Sequence, residues 1–156
     1  MKKAFTMIEL VVVITIIGIL ATIAIPKFSA TRDDAMATRS KSLVANIRTS
    51  MSSEVQKKIL RADYTPISNL GGEINKYDED IFDYFDGDSS KDRILEYAPK
   101  SCKNSSAKGC WMRTGTTEYT YKMPPGVGGD VKFKVNNNRF ECDTSYNAEG
   151  CRKLER

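Results

Sequence analysis

Two hydrophobic patterns follow one another in the first sixty residues of the chain. From Leu10 to Ile25 nearly every position is apolar. The stretch from Phe5 to Ile25 has 21 residues, and as an α-helix it would be roughly 31 Å long, which is about the thickness of the hydrocarbon core of a bilayer. This first pattern predicts a transmembrane helix over residues 5–26.

The second pattern, over residues 27–62, repeats its apolar residues at helical spacing. These positions are Leu43, Ile47, Met51, Val55 and Ile59, with Val44 and Leu60 beside them. Apolar residues every four positions indicate an amphipathic helix, which we expect to continue the first helix and to pack its apolar stripe on the rest of the protein. Pro66 and Gly71–Gly72 end the helical pattern, so residues 63–156 are expected to form a globular domain.

The start of this domain is acidic, because residues 73–96 hold nine acidic and three basic side chains. Residues 27–62 have the opposite balance, with eight basic and three acidic side chains. Tyr77, Ile81 and Phe85 are spaced by four, which predicts a short helix closed by Gly87.

The last part of the chain has the alternation that is typical of strands. The candidate strands are Arg93–Ala98, Trp111–Thr114, Glu118–Met123, Val131–Asn136 and Arg139–Cys142. Clusters of Gly, Pro and Asn separate most of them and supply turns. A helix followed by antiparallel strands predicts an α+β fold, with a long N-terminal helix packed on a C-terminal antiparallel β-sheet.

Composition narrows the chemistry that the chain can perform. Its 156 residues carry a formal net charge of +4 and include no histidine. Neither a Ser-His-Asp nor a Cys-His nucleophile can therefore form, and the commonest metal ligand is missing. No spacing of serine, lysine or carboxylate residues singles out a catalytic pair, so we expect a protein that is not an enzyme and needs no cofactor.

Four cysteines, Cys102, Cys110, Cys142 and Cys151, lie in the last third of the chain. An even number in a short exported domain favours disulfides. Free thiols or a zinc site are the alternatives. Zinc ligands usually come in C-x₂₋₄-C pairs, whereas seven or eight residues separate the members of each pair here. Short loops close most readily, so the expected pairing is Cys102–Cys110 and Cys142–Cys151.

Glu9 is the only charged residue between Phe5 and Ile25. A carboxylate at membrane depth is costly and usually has a partner. A cut just before Phe5 would create an α-amino group that is charged, or near its pKa, at neutral pH. The same cut would remove Lys2 and Lys3, which place the N-terminus in the cytoplasm by the positive-inside rule.

Three simpler interpretations of this segment compete: a cleavable secretory signal, a plain signal anchor and a buried core helix. Glu9 at the start of the apolar stretch argues against the first, as does the lack of a good A-x-A site, Thr22-Ile23-Ala24 being a weak candidate. A domain of about 130 residues has little room to bury such a helix, which argues against the third.

The N-terminal pattern as a whole resembles the class III prepilin signal. Its parts are a short basic leader, the sequence Phe5-Thr6-Met7-Ile8-Glu9-Leu10, and an apolar helix. The family with this signal includes type IV pilins, the pseudopilins of type II secretion and the pilins of DNA-uptake machines. The resemblance implies that a prepilin peptidase removes residues 1–4 by cutting between Ala4 and Phe5, and then methylates the new amine. Ala4 departs from the family, which usually has Gly at this position, although Ala is also small.

The resemblance also implies roles for residues of the helix. Glu9 would pair with the Phe5 amine of a neighbouring subunit. Gly18 and Pro26 match positions of Gly and Pro in pilin helices, and the helix can unwind there in assembled filaments. A tolerated kink is the alternative, because Pro removes a helical hydrogen bond and membrane helices often contain both residue types.

A weak calcium candidate lies in the acidic segment. Asp86, Asp88 and Asp92 offer oxygens at alternate positions, as at the start of a calcium loop. The Gly expected at the sixth position and the Glu expected at the twelfth are missing. A solvated turn is the alternative, and no other metal site is expected.

A weak nucleic-acid candidate covers residues 98–123, which hold five basic residues and one acidic residue. Trp111, Tyr119 and Tyr121 lie among these charges. Cations interleaved with aromatic rings can grip the phosphates and bases of DNA, although most basic clusters are solvated surface.

The sequence thus predicts a structural function. We expect subunits to wait in the bacterial inner membrane with the globular domain in the periplasm, and to join a homo-oligomeric filament through an inner-membrane assembly platform. Heterologous, open contacts would make this filament a fibre, either periplasmic or at the cell surface. A subunit of a pilus (fimbrium) is the use we expect, with a type II secretion pseudopilin or a DNA-uptake (competence) pilin as the alternatives, because the fold alone does not separate the three.

Overall fold

The computed structural model describes residues 6–155, apart from the side chains of residues 23–26 and 28–30. Its elements are helix α1 (Met7–Leu60), strands β1 (Cys110–Arg113), β2 (Glu118–Lys122), β3 (Val131–Asn136) and β4 (Arg139–Cys142), and helix α2 (Thr144–Glu155). One long helix followed by an antiparallel sheet confirms the predicted α+β fold.

Helix α1 has 54 residues and is roughly 80 Å long at 1.5 Å per residue. It is continuous across Gly18 and Pro26. Neither residue interrupts the helix in the isolated chain. Their unwinding concerns the assembled filament, where it stays a prediction.

The four strands form one antiparallel sheet in the order β1-β2-β3-β4. Asn136 pairs with Arg139 at the tightest turn, between β3 and β4. The two residues between them, Asn137 and Asn138, have φ values of 45° and 60°. Asn tolerates this left-handed region better than most residues, and two-residue hairpin turns require it.

The apolar stripe of α1 packs against the domain over most of the predicted length. Val44, Ile47 and Met51 are at most 1% exposed. Ile59 and Leu60, at the end of the stripe, are 54% and 87% exposed. The prediction is wrong for this last turn, because the helix extends beyond the core that covers the rest of the stripe.

Aromatic rings fill the space between α1 and the sheet. Phe133 and Phe140 stack with their centroids 4.8 Å apart. Phe82, from the segment before the sheet, packs edge-to-face with Trp111, and their ring centroids are 5.3 Å apart. Such pairs contribute about 0.5–1.5 kcal/mol each beyond the burial of their area.

The short helix predicted over residues 77–87 is wrong. Only one 3₁₀ turn, Phe85–Gly87, occurs in this stretch. Four residues of this stretch have a positive φ that a right-handed helix excludes: Asp78, Phe82, Asp86 and Gly87. The backbone instead bonds to a neighbouring segment, with Asp78 N–H donating to Cys102 O and Ile81 N–H to Pro99 O.

Two elements differ from the prediction: the first predicted strand is missing, and a C-terminal helix is present. Residues 93–98 do not form a strand, and only a single bridge links Arg93 to Tyr84. Helix α2 was not predicted from the sequence, because it is short and contains a residue in a non-helical conformation, Asn147 (φ −154°, ψ 86°).

Both disulfides have the predicted pairing, with Cα–Cα distances of 5.2 Å for Cys102–Cys110 and 5.7 Å for Cys142–Cys151. The second ties α2 to β4. Gly150, next to Cys151, lies so close to the sheet that a Cβ there would come within 2.4 Å of Val131 Cγ2. Glycine therefore lets α2 approach β3.

Tyr119 of β2 attaches the segment after α1 to the sheet. Its buried hydroxyl accepts a hydrogen bond from Leu70 N–H (2.8 Å) and donates one to Gly71 O (3.0 Å). Burial raises the pKa of Tyr119 to about 12, so the hydroxyl keeps its proton at neutral pH.

Tyr119→Phe should lower the free energy of unfolding by about 1–3 kcal/mol, because two buried backbone groups lose their partner. Trp111 is the single tryptophan and is buried, so its fluorescence reports urea unfolding of the detergent-solubilised chain. Tyr97→Phe is the matched control, since that ring is 85% exposed, and it should change stability by about 0.5 kcal/mol or less. Equal losses in the two variants would contradict the role of Tyr119.

Candidate functional site

The N-terminal part of α1 leaves a continuous apolar surface exposed. Eleven large apolar side chains there are between 43% and 84% exposed: Met7, Ile8, Leu10, Val11, Val12, Val13, Ile14, Ile16, Ile17, Ile19 and Leu20. A continuous exposed apolar surface of this size marks an interface with another protein or with lipid.

Within residues 6–155, no helix combines the length and the apolarity needed to cross a membrane. The predicted transmembrane segment, residues 5–26, begins outside the described residues at Phe5 and stays a prediction.

The hydroxyls of this apolar surface are satisfied within the helix. Thr15 Oγ1 donates to Val11 O, and Thr22 Oγ1 donates to Ile19 O, both at 2.7 Å. Each threonine hydroxyl therefore already has an acceptor for its proton and needs none from water. Gly18 lies between them, and a Cβ there would meet nothing within 4 Å. This side of the helix is open for a neighbouring molecule.

Helix α1 begins with a cap that the sequence analysis did not identify. Thr6 has an extended backbone (φ −80°, ψ 149°), and its side-chain oxygen accepts a hydrogen bond from Glu9 N–H at 3.3 Å. The signal was present in the sequence, because Thr followed three residues later by Glu is the pattern of a capping box. The cap fixes the first turn, and with it the residue that carries the carboxylate.

Glu9 is exposed in this first turn. A negative charge is favourable there, because the free N–H groups make the helix N-terminus positive. Among the described residues, Glu9 forms no ion pair with a Lys or Arg side chain. The two residues of the predicted cut, Ala4 and Phe5, lie outside the described residues.

The N-terminal part of α1 thus combines a large exposed apolar surface with one charged group. The apolar side chains can pack against lipid or against copies of the same helix without directional preference. The Glu9 carboxylate is the one charge on that surface, so a cation on a partner would fix where the partner sits along the helix.

The calcium candidates point to different partners. Asp86 accepts from Lys91 (2.6 Å), Asp88 from Ser90 (2.7 Å) and Asp92 from Lys57 (2.7 Å). Hydrogen bonds from Ser90 and Lys57 lower the pKa values of Asp88 and Asp92 respectively. In the part of the chain that the structure describes, no group of three Asp, Glu, Cys or His side chains is placed to hold a metal ion.

The nucleic-acid candidate loses its aromatic component. Trp111, Tyr119 and Tyr121 are at most 4% exposed, so their rings belong to the core and cannot stack on bases. Four of the five cations already have partners: Lys100 binds Asp80, Lys108 binds Asp130, Lys122 binds Ser105 O, and Arg113 binds the carbonyls of Gly72, Gly115 and Thr116. The alternation of charge and aromaticity over residues 98–123 therefore reflects strand packing.

Comparison with known proteins concerns the N-terminus. Residues 1–25 match the family model of the prokaryotic N-terminal methylation motif. This match supports the resemblance to type IV pilins and pseudopilins. No solved structure gives a significant match to the chain.

Thr6→Ala should weaken the first turn of α1, since the loss of a capping oxygen costs about 1 kcal/mol. Hydrogen exchange at the Glu9 amide, measured by NMR on the detergent-solubilised chain, should become about fivefold faster. Thr6→Ser retains the oxygen and should exchange at the wild-type rate. An unchanged rate in Thr6→Ala would show that the cap does not form in solution.

Proposed function

We propose that this chain is the precursor of a filament subunit in the type IV pilin and pseudopilin family, cut at its N-terminus and polymerised through helix α1. One observation carries the proposal: an exposed apolar helical surface from Met7 to Leu20 projects from a folded domain and bears a single charge, Glu9. The methylation motif over residues 1–25 supports it independently.

Before assembly, the apolar surface rests in the inner membrane with the globular domain in the periplasm. Lys2 and Lys3 hold the leader on the cytoplasmic side. A prepilin peptidase cuts between Ala4 and Phe5 and methylates the new amine. Removal of the two lysines lets an inner-membrane assembly platform draw the subunit out of the bilayer.

During assembly, the Phe5 amine of one subunit meets the Glu9 carboxylate of another. Within one chain these groups are four residues apart and share a helix face. Between staggered chains, the carboxylate reaches the next amine instead. An unpaired ion in a filament core costs several kcal/mol, so pairing favours one axial register over the others.

The role is structural, without catalysis and without a cofactor. A pilus-like filament is the use we favour, and a type II secretion pseudopilin or a DNA-uptake (competence) pilin is the alternative. The three uses share the processing and the helical core, and they differ in the machine that drives assembly. A neighbouring retraction ATPase, secretin or DNA-channel gene would distinguish them.

The mature chain should begin at Phe5. Mass spectrometry of membrane-extracted protein should find residues 1–4 missing and one methyl group added to the amine of Phe5. Cells without the peptidase should accumulate the intact chain as a control. Retention of Met1 in filaments, or a start near Ile25, would refute the processing step.

Glu9→Ala should reduce the yield of sheared filaments at least tenfold while membrane-bound subunit remains at its wild-type level, because the register loses its charge pair. Glu9→Asp keeps the charge and should retain part of the yield. Glu149→Ala removes an exposed acid of helix α2, away from the apolar surface, and is the control for a general effect of charge. A normal filament yield from Glu9→Ala would show that apolar packing alone drives assembly.

A further inference from the structure

A groove of about 550 Å³ lies between helix α1 and the segment at residues 97–100. Arg39 and Asn46 of α1 line one side of it, and Tyr97 and Lys100 line the other. The groove therefore presents several hydrogen-bond donors within one concave surface.

Two arginines beside the groove have no ion-pair partner among the described residues. Arg39 is exposed, and so is Arg32, which lies seven residues earlier and thus on the same side of the helix. Among the described residues, no carboxylate lies within ion-pair distance of either arginine. Lys100 differs, because it is already paired with Asp80 at 3.0 Å.

Matching carboxylates lie beside the other wall of the groove, where Asp80, which is hydrogen-bonded to Lys100, and the nearby Glu79 and Asp78 raise the pKa of Lys100. Glu73, Asp78 and Glu79 are exposed, and none of them forms an ion pair among the described residues. The backbone of Asp78 and Glu79 is held in place, since Ser101 N–H donates to Glu79 O at 2.7 Å and Asp78 N–H donates to Cys102 O at 3.1 Å. We call Glu73, Asp78 and Glu79 the acidic ridge.

We infer that the acidic ridge of one subunit docks on the Arg32–Arg39 side of helix α1 in a second copy of this chain, with a ridge carboxylate entering the groove. The inference rests on the proposed filament function. An open filament requires two different surfaces of the same chain to meet. The unpaired charges of these two surfaces are opposite in sign.

Charge reversal with rescue tests this contact in the full-length, processed protein. Arg39→Glu and Glu79→Arg should each lower the yield of sheared filaments at least tenfold, because like charges then face one another. The double variant Arg39→Glu/Glu79→Arg restores opposite charges and should recover at least half of the wild-type yield. Arg152→Glu reverses an exposed arginine of α2 that has no ion pair among the described residues, and it should assemble normally.

A cross-link locates the contact directly. Arg39→Lys keeps the charge and provides an amine that a zero-length carbodiimide can couple to a carboxylate. In filaments mixed from isotopically light and heavy subunits, the expected product joins that residue to the ridge of a differently labelled subunit. A link confined to one chain would overturn the inference.

The remaining outcomes also decide the matter. Loss of assembly in Arg39→Glu with normal assembly in Glu79→Arg and no rescue would assign Arg39 to a different anionic partner, and would overturn the ridge contact. Normal filaments from both single variants, together with failed assembly of Glu9→Ala, would overturn this inference and leave the proposed function intact. Absence of filaments from the wild-type chain would overturn both.

Discussion

Water is a poor solvent for the first third of helix α1, and this constraint shapes the rest of the molecule. Burying apolar surface is worth roughly 25 cal/mol per Å², yet the domain leaves the side chains from Met7 to Leu20 uncovered. The globular domain contacts α1 only further along, so it cannot shield this surface. The chain is therefore incomplete as a monomer, and its surroundings, either lipid or other copies, must supply the missing contacts.

The globular domain holds the second part of α1 in place. Val44, Ile47 and Met51 anchor the helix on an aromatic core, while one disulfide closes the segment before β1 and the other holds α2 on the sheet. These contacts hold the second part of α1 against the sheet and leave its N-terminal part without support from the domain.

Hydrophobic periodicity predicted the helices and strands that depend on local sequence. It did not predict those that depend on tertiary contacts. Helix α1 and strands β1–β4 follow from spacing alone. The segment at residues 77–87 has helical spacing, but its backbone takes a positive φ at Phe82 and bonds to a neighbouring segment instead. Helix α2 depends on a disulfide and on Gly150. The candidate site was predicted in part, because Glu9 is the one charged residue in an apolar run. The Thr6 cap was not predicted, although the sequence has the pattern of a capping box.

Apolar packing and charge pairing have separate tasks in such an assembly. Burial of the α1 surface is non-directional, so it supplies adhesion but tolerates sliding of one helix along another. A charge pair is stronger in a low-dielectric core than in water, so in the proposed filament Glu9 would select the register. The exposed charges of the domain are screened by salt beyond about 8–10 Å, so they act only once subunits are close. Arg39 and the acidic ridge would then set the angle between neighbouring domains, which the helical core alone leaves undetermined.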